Sequence, residues 1–161
     1  MFSMELNPYA RFVNADPLTL IRATPGKLAA LTHQLGSAGL ARSTAPGKWS
    51  AAEILCHLAD VEIAFGFRLR QAQAADSYTV QPFDQDAWSR PYARLDPYAA
   101  LAAFTALRHW NVDFIATLPA DAFSKPFTHP ERGPMTFQTL VETIAGHDRN
   151  HLVQLEAIAA N

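Results

Sequence analysis

Between Leu140 and Ile158 the chain spaces Leu140, Ile144, His147, His151, Leu155 and Ile158 by steps of three or four. Residues three and four apart fall on adjacent turns of one helix face, so this spacing traces a single apolar stripe. Two imidazoles, those of "GHDRNH", therefore stand where leucines would be expected. Buried ring nitrogens need partners, because a polar atom taken out of water without one is costly. A fold for this chain has to be helical here and has to bring something to these two side chains.

Three other segments carry helix signals. In "ADPLTLIRATPGKLAALTHQLG", Asp16 is placed to cap and Pro17 suits the first helical position. Leu18, Ile21, Leu28, Leu31 and Leu35 supply a helical period that Pro25-Gly26 is expected to kink or interrupt. "SAAEILCHLADVEIAFGFRLRQAQA" opens with Ser50 and Glu53 at capping-box spacing, and Ile54, His57, Leu58, Val61 and Phe65 make its buried stripe. "DPYAALAAFTALRHWNVDFIATL" again begins Asp-Pro, presents Leu101, Phe104, Leu107, Val112 and Ile115, and is ended by Pro119. Thr136 is the N-cap expected for the helix that carries the two histidines. With little strand pattern, these segments predict an all-α four-helix bundle, with residues 1–161 as one domain. The long connections "ADSYTVQPFDQDAWSRPYARL" and "PADAFSKPFTHPERGPM" are expected at one end of the bundle, lining a site.

Composition narrows the partners. A chain of 161 residues, 49% hydrophobic, is long enough to bury a proper core. Its net charge is −2 and its pI about 6.3, with no basic stripe, so neither nucleic acid nor an anionic membrane is an expected partner. No apolar run reaches bilayer length and the N-terminus has no signal-peptide pattern, which reads as a cytoplasmic protein. A single cysteine, Cys56, excludes an internal disulfide.

An H-x-x-x-H pair on a helix positions two nitrogens for one metal ion, but alone it is more often a pair of hydrogen-bonded core histidines. His57 changes the balance, because it lies on the buried stripe of another helix. One divalent ion would satisfy a nitrogen of each of the three rings. Three neutral nitrogen ligands leave an exchangeable position, as in catalytic zinc sites, and nickel suits imidazole equally. Asp60, one turn beyond His57, is a candidate acceptor for that ring's other nitrogen, against a solvated surface carboxylate. Glu53 is accounted for by the cap, and Cys56 is turned about 100° away from His57 around the helix, a packing position. His33 and His109 have polar neighbours and read as surface. Trp88 and His129, on the long connections, are candidates for substrate binding, against a loop anchor and a solvent-facing turn histidine. Arg68 and Arg149 are candidates for an anionic group, against surface ion pairs.

"GKWSAAEILCHLADVE", "PFDQDAWS", "FTHPERG" and "GHDRNH" occur in an order and spacing that resembles the DinB superfamily, most closely its YfiT-like branch of metal-dependent hydrolases and bacillithiol S-transferases. The resemblance runs over residues 20–158. It implies a four-helix bundle with long inter-helix loops whose metal, zinc or nickel, is held by His57, His147 and His151. It further implies a metal-dependent thiol S-transferase that joins a low-molecular-weight thiol to small electrophiles. A metal-dependent hydrolase is the alternative, and a non-catalytic, metal-stabilised dimeric bundle a third. Cys56 and Asn150 stand where the branch carries additional histidines, which bears on the thiol or substrate and not on the ligand set. A homodimer is the expected assembly on general grounds.

Overall fold

The computed structural model describes residues 6–160. Five α-helices run in order: α1 (Pro17–Leu40), α2 (Ala51–Ala74), the short α3 (Gln85–Ser89), α4 (Pro97–Ala116) and α5 (Phe137–Ala159). The caps are those the local sequence specifies. Asp16 accepts from the Thr19 amide, Ser50 and Glu53 form a reciprocal capping box, Asp96 accepts from Tyr98 and Thr136 from Thr139. Each satisfies backbone donors that the first turn of a helix leaves without partners.

The four long helices form a bundle in which the first two, α1 and α2, are not neighbours in space. α1 packs on α4 and α5, and α2 packs on the same two, while α1 and α2 barely touch. Two apolar clusters fill the interior. One gathers Ile21, Val61, Phe65, Leu69, Ile115 and Ile144. The other gathers Leu28, Ile54, Leu58, Phe104, Leu155 and Ile158. Every long helix also contributes buried polar residues: Thr24 from α1, His57 and Glu62 from α2, Arg108 and Asn111 from α4, and His147, Asp148 and His151 from α5.

Two expectations are corrected. Pro25-Gly26 does not interrupt α1; the helix continues through both, and the only non-helical backbone inside it is at Gly36, with φ 58°. A proline at position 25 withholds the N–H that the Ile21 carbonyl would receive. Arg108 of α4 donates to that carbonyl instead, at 3.2 Å, so the lost bond is replaced from across the bundle. The second correction concerns the connection into α5, which is not irregular throughout. It contains an antiparallel hairpin, β1 (Pro126–His129) and β2 (Gly133–Thr136), turned by Gly133 at φ 81°. The α2–α3 connection pairs with it, Val80 donating to the Thr128 carbonyl and Thr128 to the Tyr78 carbonyl, each at 2.9 Å. The two long connections are thus stitched together, as their expected placement at one end requires.

The N-terminal segment crosses α5 at Gly146. A side-chain carbon there would come within 2.6 Å of the Tyr9 carbonyl oxygen and Cβ, so only glycine admits this crossing. Among the described residues, no helix is long and apolar enough to cross a membrane.

Candidate metal centre

His57 comes from the second turn of α2, His147 and His151 from adjacent turns of α5, and all three are buried. One nitrogen of each ring lies within 4.8 Å of the others. The Nε2 atoms of His57 and His147 are 3.1 Å apart. Two nitrogens sharing one tetrahedral ion at ordinary bond lengths are separated by about 3.3 Å, so this pair already stands close to ligand spacing.

Electrostatics agree with that use. Burial lowers the pKa of all three histidines, and mutual repulsion lowers His57 and His147 further. His57 is brought down to about 3. The rings are therefore neutral at physiological pH, the form that binds metal. His151 has its Nδ1 3.0 Å from the Gln154 side-chain oxygen, which fixes the proton on Nδ1 and leaves Nε2 as a bare lone pair. The Nδ1 atoms of His57 and His147 are buried and have no hydrogen-bond partner among the described residues. Three neutral imidazoles joined by a single hydrogen bond are under-satisfied as a core cluster, whereas their donor set fits a divalent ion.

Aromatic rings pack around the cluster. Trp49 lies against His57 with centroids 4.7 Å apart, and Tyr9 and Phe65 meet the edge of His147 at 5.4 and 5.7 Å. Asp60 does not serve His57. Its carboxylate accepts from the Tyr92 hydroxyl at 3.0 Å, and Tyr92 in turn packs on Trp49. Asp60 thus braces the aromatic backing of His57 at one remove; the polar group seen beside the triad is Gln154. Cys56 is buried, and burial followed by the nearby carboxylates raises its pKa to about 11, which makes it an inert packing group.

Two cavities reach the triad. The first, of about 190 Å³, is lined by His147 together with Val61, Phe65, Phe127, Met135, Arg68, His129 and Arg132. The second, of about 470 Å³, is lined by His57, His151, Trp49, Lys48, Asn150 and Gln154. Tyr9 and Gln85 belong to both walls. His129 therefore lines a cavity that His147 also lines. Trp88 lines neither cavity: it stacks on Phe83 at 4.5 Å and lines an adjoining apolar groove with Ile63 and Phe67. His33 and His109 are exposed, and Arg149 makes an ion pair with Glu156 on the surface.

A buried ion network next to His147 is not marked by any motif in the sequence. Arg108, fully buried, donates to both carboxylate oxygens of Glu62 and to both of Asp148, as well as to the Ile21 carbonyl. Asn111 adds a bond to Glu62 at 2.8 Å, and Thr24 one to Asp148 at 2.7 Å. Burial opposes the charge on Arg108, but Asp148 and Glu62 outweigh it and hold its pKa above the ordinary value. The available signal was a carboxylate on each buried stripe, Glu62 four residues after Leu58 and Asp148 four after Ile144.

Comparison with known proteins places these features in context. The sequence profile of the DinB superfamily matches residues 20–155. A metal-dependent hydrolase, by name, from Oceanobacillus iheyensis is 23% identical over 145 residues, covering 89% of this chain and 84% of its own. YfiT from Bacillus subtilis, named in the same way, is 21% identical over 145 residues, covering 88% and 82%. The YfiT structure, described as a four-helix bundle of unusual topology, superposes with a TM-score of 0.83 at 20% identity, over 89% of this chain and 84% of that one. A mycothiol-dependent maleylpyruvate isomerase superposes with a TM-score of 0.68 at 18% identity, over 89% of this chain and 62% of that one. The helix order, the buried histidines and the profile match converge: this chain is a member of the DinB superfamily.

Proposed function

We propose that the protein is a metal-dependent thiol S-transferase, with His57, His147 and His151 as its metal ligands. The observation that carries the reading is the pair of cavities meeting at one cluster of neutral histidines. A two-substrate reaction needs two approaches to one centre, and here one cavity is lined by His57 and His151 and the other by His147, which gives a thiol and an electrophile separate routes to it. A bound divalent ion would supply Lewis acidity, lowering the pKa of a coordinated thiol toward neutrality.

The chain's own residues do the rest. The histidines offer lone pairs without first having to shed protons at neutral pH. Gln154 holds His151 in the tautomer that presents Nε2, and Trp49 packs against His57 while Tyr9 and Phe65 pack against His147. In the transfer, the thiol gives up its proton to solvent water, sulfur bonds to the electrophilic carbon, and the leaving group departs with the electron pair of the broken bond. The mycothiol dependence of the isomerase with the related fold supports a thiol partner. The names of the curated relatives favour hydrolysis as a second reading.

The test is metal analysis of protein purified without an affinity tag, with a panel of bacillithiol, mycothiol, glutathione and cysteine against chloro-aromatic and epoxide acceptors. Expected are about one divalent ion per chain, lost in His57→Ala, His147→Ala and His151→Ala, and thiol consumed in step with thioether formed. Full metal content in all three variants would overturn the ligand assignment. Thiol-independent ester or amide cleavage that His151→Ala abolishes would establish the hydrolase instead.

A further inference from the structure

The smaller cavity holds two arginines that the metal site does not use. Arg68 sits on the α2 stripe that runs His57, Val61, Phe65, Arg68, which puts its backbone about 16 Å from that of His57 along the helix. Arg132 sits in the turn of the β1–β2 hairpin. Both line the cavity that His147 also lines, with Val61, Phe65, Phe127, Met135 and Leu140 as its apolar wall.

Among the described residues, neither arginine is in an ion pair; the salt bridges belong to Arg108 and Arg149. Arg68 donates one bond, to the Gln81 carbonyl at 3.3 Å, and its guanidinium lies 5.4 Å from the centre of the Phe83 ring. A guanidinium has five N–H donors in a planar fork, so most of this one is uncommitted. Burial lowers the Arg68 pKa, Tyr78 partly offsets this and Arg132 adds to it, as two unpaired cations facing one space should. His129 is kept neutral by burial and by the same two arginines. Among the described residues, Glu131 is the one carboxylate of the lining. Two positive charges against one negative leave the cavity with a net single positive charge, which matches a monoanion better than a phosphate dianion.

We infer that this cavity binds the carboxylate of a small, otherwise apolar molecule, with Arg68 and Arg132 gripping the carboxylate and the apolar body running toward His147. A cavity near 190 Å³ is somewhat larger than one that takes benzene, at about 150 Å³. That size selects compact acids. The orientation toward His147 rests on the metal-centre reading, whereas the carboxylate site stands on the arginines alone. The carboxylate can be carried by the electrophile or by the thiol.

Calorimetric or NMR titration of metal-stripped protein with hexanoate and with hexanamide tests the site. Hexanoate should bind about tenfold or more tightly than the uncharged amide, the scale of charge-assisted hydrogen bonds in a partly desolvated pocket. Arg68→Gln and Arg132→Gln should each remove most of that preference, Arg68→Lys should restore part of it, and His151→Ala should leave it intact. On zinc-loaded protein, 3-mercaptopropionate against 2-mercaptoethanol asks which partner carries the acid. An Arg68-dependent preference for 3-mercaptopropionate, with hexanoate as its competitor, assigns the carboxylate to the thiol. Hexanoate binding undiminished by saturating 2-mercaptoethanol or 3-mercaptopropionate assigns it to the electrophile. A preference intact in a protein that binds no metal would remove the metal-centre reading and leave this site standing. Equal binding of acid and amide, or a preference that survives both arginine substitutions, would overturn the inference.

Discussion

Replacing Arg108 should cost more stability than replacing any single apolar residue of the core. Its guanidinium spends all five donors inside the bundle: four on the Glu62 and Asp148 carboxylates and one on the Ile21 carbonyl. Both acids are 2% exposed, so removing the cation strands them out of water. Breaking a buried pair in this way costs about 3–5 kcal/mol, and an orphaned backbone carbonyl adds about 1 kcal/mol or more. Against a total of about 5–15 kcal/mol for a domain, Arg108→Met, which keeps most of the side-chain volume against Phe104, should remove a large share. In urea unfolding followed by far-ultraviolet circular dichroism, a slope of about 2 kcal/mol per molar turns a 4 kcal/mol loss into a midpoint about 2 M lower. The triple variant E62Q/R108M/D148N should recover much of it, because the loss comes from unpaired charge and not from the shape of the site. A deficit under about 1 kcal/mol in Arg108→Met, or a triple variant no more stable than the single one, would refute the argument.

Three further outcomes follow from the same geometry. In metal-free protein the three histidines have folded pKa values below their ordinary 6.5, so the unfolded chain takes up protons that the fold refuses; stability is full above about pH 6.5 and falls below it by up to about 1.4 kcal/mol per pH unit for each, continuing for His57 to about pH 3. Urea midpoints measured from pH 7.5 to 5 check this, and a flat profile would contradict the burial of neutral rings. Gly146→Ala should push the N-terminal segment off α5 and raise proteolysis near Tyr9 while α5 stays helical, since the added carbon would meet Tyr9 at 2.6 Å; limited proteolysis with mass spectrometry reads this. His129→Ala should keep full metal content while substrate KM changes, because His129 lines the cavity without joining the histidine cluster.

Much of this was legible because it is local or periodic. Helix starts are written in a few adjacent residues, and the structure has each cap where Asp16, Ser50, Asp96 and Thr136 put it. The triad was legible because three histidines interrupt apolar stripes at helical spacing. What escaped depends on residues far apart in the chain. The expected break at Pro25 fails because the replacement donor is 87 residues from the carbonyl it serves. Asp60 turns to Tyr92, 32 residues on, and a carboxylate in reach of both a phenol and an imidazole cannot be assigned from helix spacing alone. Trp88 was tied to the site by its place in a long loop, but its stacking on Phe83 is set by how that loop folds back. The two short strands lack apolar alternation long enough to signal a hairpin, since only Phe127 and Met135 are buried among their eight residues.

The diagonal placement of α1 and α2 also sets the order in which this protein can come together as it is synthesised. The first two long helices leave the ribosome without a partner in each other; each finds one face of support only when α4 appears, and the second only with α5. His57 waits through the same interval, since both other members of its cluster lie on α5. Until α5 has been made, the nascent chain holds two amphipathic helices with open apolar faces, the kind of surface that chaperones recognise and that drives aggregation at high expression. Slow decoding is thus a risk ahead of α5, and the metal centre is among the last parts of the molecule to exist.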